Sequence, residues 1–245
     1  MNNILMLGSI IGFAPALFLI WFSLRKYSYP FVEGSLFEDR RVFFMLAVGM
    51  VVGSLIFVLE LSLFPIFYFD EGIDLIMFIL IYVLGFVFLE DLAKFIILNF
   101  KGYRGRFDSM FYGVSLGAGY SATAIIGYIN IDLSQASGGG DIITWLGLMF
   151  FSAATCMIHV SVGASIGAAT GKNMGLHGIP TSILPHIIFN LLMLPWFIYS
   201  QIWYSLVIAL PVAAFIFWGV YSQTIPESLP PEIQKEIRRD RRRRE

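Results

Sequence analysis

The sequence predicts an all-α polytopic membrane protein of seven transmembrane helices, with its N-terminus outside and its C-terminus in the cytoplasm. Three observations carry that expectation. Of 245 residues, 58% are hydrophobic and only 13% charged, about half the charge of an ordinary soluble domain. An interior of this size cannot hold so much apolar side chain, so the surplus must face lipid. Second, the apolar residues gather into stretches of the roughly 20 residues that cross a hydrocarbon core of about 30 Å. Third, the cations are segregated onto alternate loops.

The expected spans are Ile4–Leu24, Val42–Leu63, Ile73–Phe100, Phe107–Ile129, Ile142–Ala169, Gly178–Tyr199 and Ile202–Tyr221. The last two are divided only by Ser200–Gln201, and Pro195 and Pro211 can bend either helix. The net charge of −1 conceals an asymmetry. Arg25, Lys26, Arg40 and Arg41 follow the first span, and Lys101, Arg104 and Arg106 follow the third. Lys172 follows the fifth, and Lys235, Arg238, Arg239 and Arg241 to Arg244 follow the seventh. Every cation except Lys94 thus falls on one face, which the positive-inside rule makes cytoplasmic. The first span carries its cations behind it, so it is read as a retained helix and not a cleaved signal. Residues 1–222 form the expected membrane domain, and 223–245 a disordered basic tail lying on anionic lipid. Like-charged runs beside a last span are topology anchors more often than nucleic-acid sites. The single cysteine, Cys156, excludes an intrachain disulfide and a multi-cysteine metal site; it reads as core filler.

Ionisable groups within spans are expensive and mark function. Glu60 and Asp108 lie where they can reach an interface and are read as structural, and His177 as a solvated loop residue. The remainder are Glu90, Asp91 and Lys94 in the third span, His159 in the fifth and His186 in the sixth. At about 1.5 Å rise per residue, Glu90 and His159 both lie roughly 15 Å from the cytoplasmic end of their helices, and His186 nearly so. A carboxylate and two imidazoles therefore share one layer. Glu90 and Lys94 are i,i+4 neighbours on one face, so the ammonium can neutralise that carboxylate, while Asp91 points about 100° away and needs its own partner. His186 and Asn190 are likewise one turn apart. They set an imidazole beside an amide donor, groups that can polarise a carbonyl while a carboxylate deprotonates water. Gly113, Gly117 and Gly119, with Gly163, Gly167 and Gly171, mark close helix packing.

These residues also carry a resemblance. FLEDLAKF (Phe88 to Phe95) resembles the EExxK signature of the PrsW family, one of the glutamate-dependent intramembrane endopeptidases that include the CAAX prenyl proteases. FDSMFYGVSLGAGYSA (Phe107 to Ala122) is similar to that family's next helix, His159 falls in the helix after it, and PHIIFN (Pro185 to Asn190) matches a closing HxxxN. The resemblance spans roughly residues 85 to 192. It implies that Glu90 activates water, that His159 and His186 position it or share a metal with Glu90, and that Asn190 stabilises the tetrahedral oxyanion. Asp91, Lys94 and Asp108 are expected in support. Two His and one carboxylate match a catalytic Zn2+ set with an open fourth position, and the same groups work without metal. Two departures stand out: Asp91 replaces a Glu, and Ala124-Ile125 stand where PrsW proteins carry Glu-Asn. With IGFAPALFLIW (Ile11 to Trp21) and the seven-span layout, the chain is also similar to the non-catalytic Aph scaffold subunit of γ-secretase.

The leading expectation is an intramembrane peptidase. It would hydrolyse peptide bonds of membrane-anchored substrates in a cavity open to the cytoplasmic side, in the plasma membrane of a prokaryote. The alternative is an Aph-like scaffold that binds other membrane proteins through the same polar network. A proton or solute pathway ranks last, since the sequence has no inverted repeat.

Overall fold

A computed structural model describes residues 2–29, 32, 35–67, 79–135, 141–174, 179–199 and 202–244. Among them every regular element is helical. The chain forms α1 (Asn2–Leu24), a 3₁₀ turn (Arg25–Tyr27), α2 (Asp39–Phe67), a π-helical segment (Ile79–Phe86) and α3 (Val87–Leu98). It continues through α4 (Ser109–Gln135), α5 (Ile142–Gly171), α6 (Ile179–Tyr199) and α7 (Ile202–Gly219). A second π-helical stretch (Val220–Thr224), a single turn α8 (Ile225–Glu227) and α9 (Pro231–Arg244) close the chain. Five described helices are long and apolar enough to cross a membrane: Ile4–Tyr27, Asp39–Leu63, Ser109–Ile131, Ile142–Gly171 and Ile202–Glu227. The start of the expected third span, Ser200–Gln201 and His177 lie outside the described residues.

Burial follows the lipid logic of the composition. Phe43, Leu55, Val207 and Phe215 are exposed, whereas α4 is almost wholly buried from Ser109 to Ile125 and packs against α1, α2 and α5. Small residues allow this. A Cβ at Gly113 would come within 2.0 Å of the Gly163 carbonyl oxygen, and one at Gly163 within 2.1 Å of that of Gly113, so the backbones of α4 and α5 touch as small-residue spacing in membrane helices permits.

The contacts also fix polarity. Gly53 meets Tyr120 and Gly127 meets Phe57, so α2 runs parallel to α4; Gly171 meets Arg106, so α5 runs antiparallel to it. Gly8 meets Ile129 and Gly12 meets Ala122, so α1 is antiparallel to α4 as well. The starts of α2 and α4 and the end of α5 therefore share one end of the bundle, the end that carries Arg40, Arg41, Lys101, Arg104, Arg106 and Lys172. A clamp closes it. Arg106 bonds Asp108 at 2.9 and 2.7 Å and approaches Glu38 at 3.4 Å, while the Tyr112 hydroxyl donates to Asp108 at 2.8 Å.

Pro185 and Pro195 lie within α6. A proline disrupts the helical hydrogen-bond ladder, and a neighbouring hydroxyl can satisfy the freed groups; Ser205 of α7 accepts from the Trp196 N–H at 3.0 Å and donates to the Met193 carbonyl at 3.4 Å. The tail departs from the expected disorder. Pro231 occupies the first position of α9, which its fixed φ favours, and the i,i+4 pair Ile233 and Ile237 packs against the core. Gln234 Nε2 adds a bond to the Leu229 carbonyl at 2.8 Å.

Candidate functional site

Three helices bring the sequence-selected residues together. Glu90, Asp91 and Lys94 lie on α3, where each is buried; His159 lies on α5 and His186 on α6, 5% and 1% exposed. The π-helical turns that lead into α3 widen the helix just ahead of this cluster, a deviation often found at functional sites. His159 is seated by close packing: a Cβ at Gly117 would meet the His159 carbonyl oxygen at 2.0 Å. Its ring lies 4.7 Å from those of Tyr120 and His186.

The ion pairs differ from the simplest helical-face reading. Lys94 Nζ bonds Asp91 Oδ1 at 2.9 Å and stands 3.9 Å from Glu90 Oε2, so the ammonium serves Asp91 first. The i,i+3 spacing lets it do so, because both three- and four-residue separations bring side chains together on a helix. Lys94 also sits 4.6 Å from the centre of the Tyr120 ring, in cation–π range. Asp91 finds a second partner in His186, whose Nδ1 lies 3.1 Å from Oδ1. A carboxylate at that distance favours the tautomer with the proton on Nδ1, which turns a lone pair on Nε2 towards Glu90.

What remains is a set of unpaired atoms. Glu90 Oε2 stands 3.7 Å from both His159 Nδ1 and His186 Nε2. Glu90 Oε2 and His159 Nδ1 are buried without a hydrogen-bond partner, an arrangement that costs stability unless a ligand or water completes it. One ligand atom from each of Glu90, His159 and His186 can be chosen with all three within 4.8 Å of one another. Ligands 2.0–2.1 Å from a tetrahedral zinc stand about 3.3 Å apart, so a modest contraction makes these three residues fit a divalent cation. Asp91 behind His186 is the outer-shell carboxylate that such a ligand commonly has.

A cavity adjoins this centre. It is lined by Glu90, His159, His186, Asn190 and Tyr120, and also by Glu60, Tyr128, Thr155 and Ala124, with Phe86, Phe151, Phe189 and Met193 as its apolar walls. It leaves about 40 Å³ to the centres of waters, more than the roughly 10–15 Å³ that one water needs. The expected opening towards the basic end does not match this lining. Glu60 and Tyr128 lie far along α2 and α4, Phe151 near the start of α5 and Met193 late in α6, so the cavity extends from Glu90 towards the opposite end. On the basic side, Leu98, Met110 and Phe111 are fully buried and fill the space.

Two assignments change. Asp108, expected in support, is absent from the cavity lining and belongs to the clamp at the basic end. Glu60, read as an interfacial residue, is only 6% exposed and turned inward, where it accepts from the Tyr128 hydroxyl at 2.8 Å and lines the same cavity as Glu90. Thr155 was not singled out; its hydroxyl is buried without a partner on the chamber wall. It stands one turn before His159, a signal the sequence contained. Cys156 is core filler as expected, buried with the Ser121 hydroxyl 3.3 Å from its sulfur. Compared with family models, curated proteins and solved structures, the chain matches none.

Proposed function

We propose that this chain is an intramembrane hydrolase, an endopeptidase of the PrsW and CAAX-protease type acting on membrane-anchored protein substrates. The observation that carries the reading is the convergence of Glu90 Oε2 on two imidazole nitrogens, each 3.7 Å away, beside a buried cavity with room for water. Glu90 takes a proton from that water, and His159 and His186 hold the water and the polarised carbonyl in place. Asn190, on the same chamber wall, donates to the oxyanion of the tetrahedral intermediate. Asp91 and Lys94 hold His186 in the tautomer that presents Nε2. If a Zn2+ is bound, Glu90, His159 and His186 hold it, and it supplies Lewis-acid polarisation of the carbonyl and a more acidic water.

In this reading the polypeptide crosses the plasma membrane of a prokaryote seven times, its basic loops face the cytoplasm and the Arg run of α9 rests on anionic lipid. The test is Glu90→Gln, assayed in proteoliposomes on single-span protein substrates beside the wild type. Cleavage should fall by at least about 100-fold with the helical circular dichroism unchanged. Equal cleavage by the variant removes the hydrolase reading. A variant that mainly loses thermal stability, in a protein that co-purifies with a membrane partner, favours the Aph-like scaffold.

A further inference from the structure

We infer that Thr155 is a substrate-binding residue, its hydroxyl oxygen accepting a main-chain N–H of the unwound peptide two residues from the bond that is cut; this rests on the hydrolase reading above. Thr155 is 6% exposed, and its hydroxyl is buried without a hydrogen-bond partner on the wall of the chamber that holds Glu90 and His159. A hydroxyl inside a helix commonly gives its proton to the carbonyl one turn back. Ser161 does so on α5 at 2.6 Å, and Ser115 and Thr123 do so on α4 at 3.3 Å each, while Ser152 reaches across to the Ile11 carbonyl of α1 at 2.6 Å. Thr155 forgoes both solutions, at a cost that a bound partner would offset.

Its place in the chamber says what that partner is. Thr155 stands four residues before His159, about 6 Å along α5 away from the basic end, on the side to which the cavity extends. An extended chain advances about 3.3–3.6 Å per residue, so a peptide whose scissile carbonyl sits between Glu90 and the imidazoles brings the amide two residues on to the level of Thr155. That amide arrives without a partner. A membrane-spanning helix must unwind to expose a peptide bond to water, and each freed N–H is expensive between walls such as Phe151, Phe189 and Met193. The carboxylates of the chamber are engaged: in the hydrolase reading Glu90 takes a proton from water, and Glu60 accepts from Tyr128. The threonine oxygen has lone pairs to offer and brings no charge with them.

The experiment uses synthetic single-span peptides in proteoliposomes, one with every amide intact and a set in which one amide at a time, apart from the scissile bond, is replaced by an ester, which lacks the N–H. Thr155→Val keeps the branched shape and removes the hydroxyl. On the all-amide peptide it should lower kcat/KM by about 3- to 10-fold, the size of one neutral hydrogen bond, mainly through KM; Thr155→Ser should keep most of the wild-type value. With the wild type, the ester two residues from the cut on one side should cost the same factor. With Thr155→Val that ester should cost nothing further, the signature of a direct pair in a double-mutant cycle. The unfolding temperature of Thr155→Val without peptide should equal or exceed that of the wild type, since no internal bond is lost. A lower unfolding temperature, an unchanged kcat/KM, or valine and ester losses that multiply at that position overturn the role of Thr155 and leave that of Glu90 standing. A wild-type protein that cleaves none of the peptides overturns both readings together.

Discussion

At the scale of single residues, the buried ion pair decides how the site tolerates change. Lys94 is fully buried and serves Asp91 at 2.9 Å. Removing one member of such a pair strands the other charge, which costs about 3–5 kcal/mol, whereas replacing both with neutral groups is often close to neutral. Lys94→Met should therefore lower the thermal unfolding temperature in detergent sharply, and Asp91→Asn in the same chain should recover most of the loss. A double variant no more stable than Lys94→Met would refute the pairing. Much of this was legible in the sequence, since depth counting alone placed Glu90, His159 and His186 in one layer. The choice of Lys94 between Glu90 and Asp91 was not legible: i,i+3 and i,i+4 neighbours are both in reach, and only the distances in the folded chain, 2.9 Å to Asp91 and 3.9 Å to Glu90, separate them. Glu60 was misread for a related reason. Sequence distance from a helix end gives depth but not the direction in which a side chain turns.

At the scale of elements, the glycines sort into two kinds, and the small-residue spacing of Gly113 and Gly163 already marks the packed kind in the sequence. Gly113 and Gly163 sit backbone to backbone, each with space for no side chain, and together they set the distance at which α5 presents His159. Gly219 is helical, with φ −60°, and a Cβ there would meet nothing within 4 Å. Gly113→Ala should destabilise the protein by about 1–3 kcal/mol, the usual cost of overpacking. Gly219→Ala should be neutral or gain up to about 1 kcal/mol from helix propensity. Unfolding of both variants in one detergent checks the contrast, and equal effects would contradict the close approach of α4 and α5. The tail shows the reverse limit of pattern reading. Its Arg run reads as disordered, but Ile233 and Ile237, one turn apart, give α9 an apolar face that docks on the core.

At the scale of the whole molecule, the bundle has one sealed end and a chamber that extends towards the other, and charge distinguishes them. The seal depends on Asp108, whose burial pushes its carboxyl up; hydrogen bonds from Arg106 and Tyr112 outweigh that and hold it below the usual carboxylate range. A depressed folded value means that the stabilisation is present above about pH 4, the unfolded value, and is lost as pH falls below it. The difference in unfolding temperature between wild type and Asp108→Asn should thus shrink as pH drops from about 5 to about 3. A constant difference would remove the ionic part of the clamp. Orientation in the membrane follows from the same asymmetry. The loop that holds Gly102 adjoins the Arg and Lys residues of the sealed end, and the start of α5 lies one helix away at the other. Since Cys156 is buried, single cysteines at Gly102 and Ile142 can report to a membrane-impermeant thiol reagent in intact cells. The positive-inside rule predicts that Ile142→Cys reacts in intact cells and Gly102→Cys only after lysis. The opposite result would invert the orientation and turn the chamber towards the cytoplasm, while reaction of both from one side would mean that α4 does not cross the membrane at all.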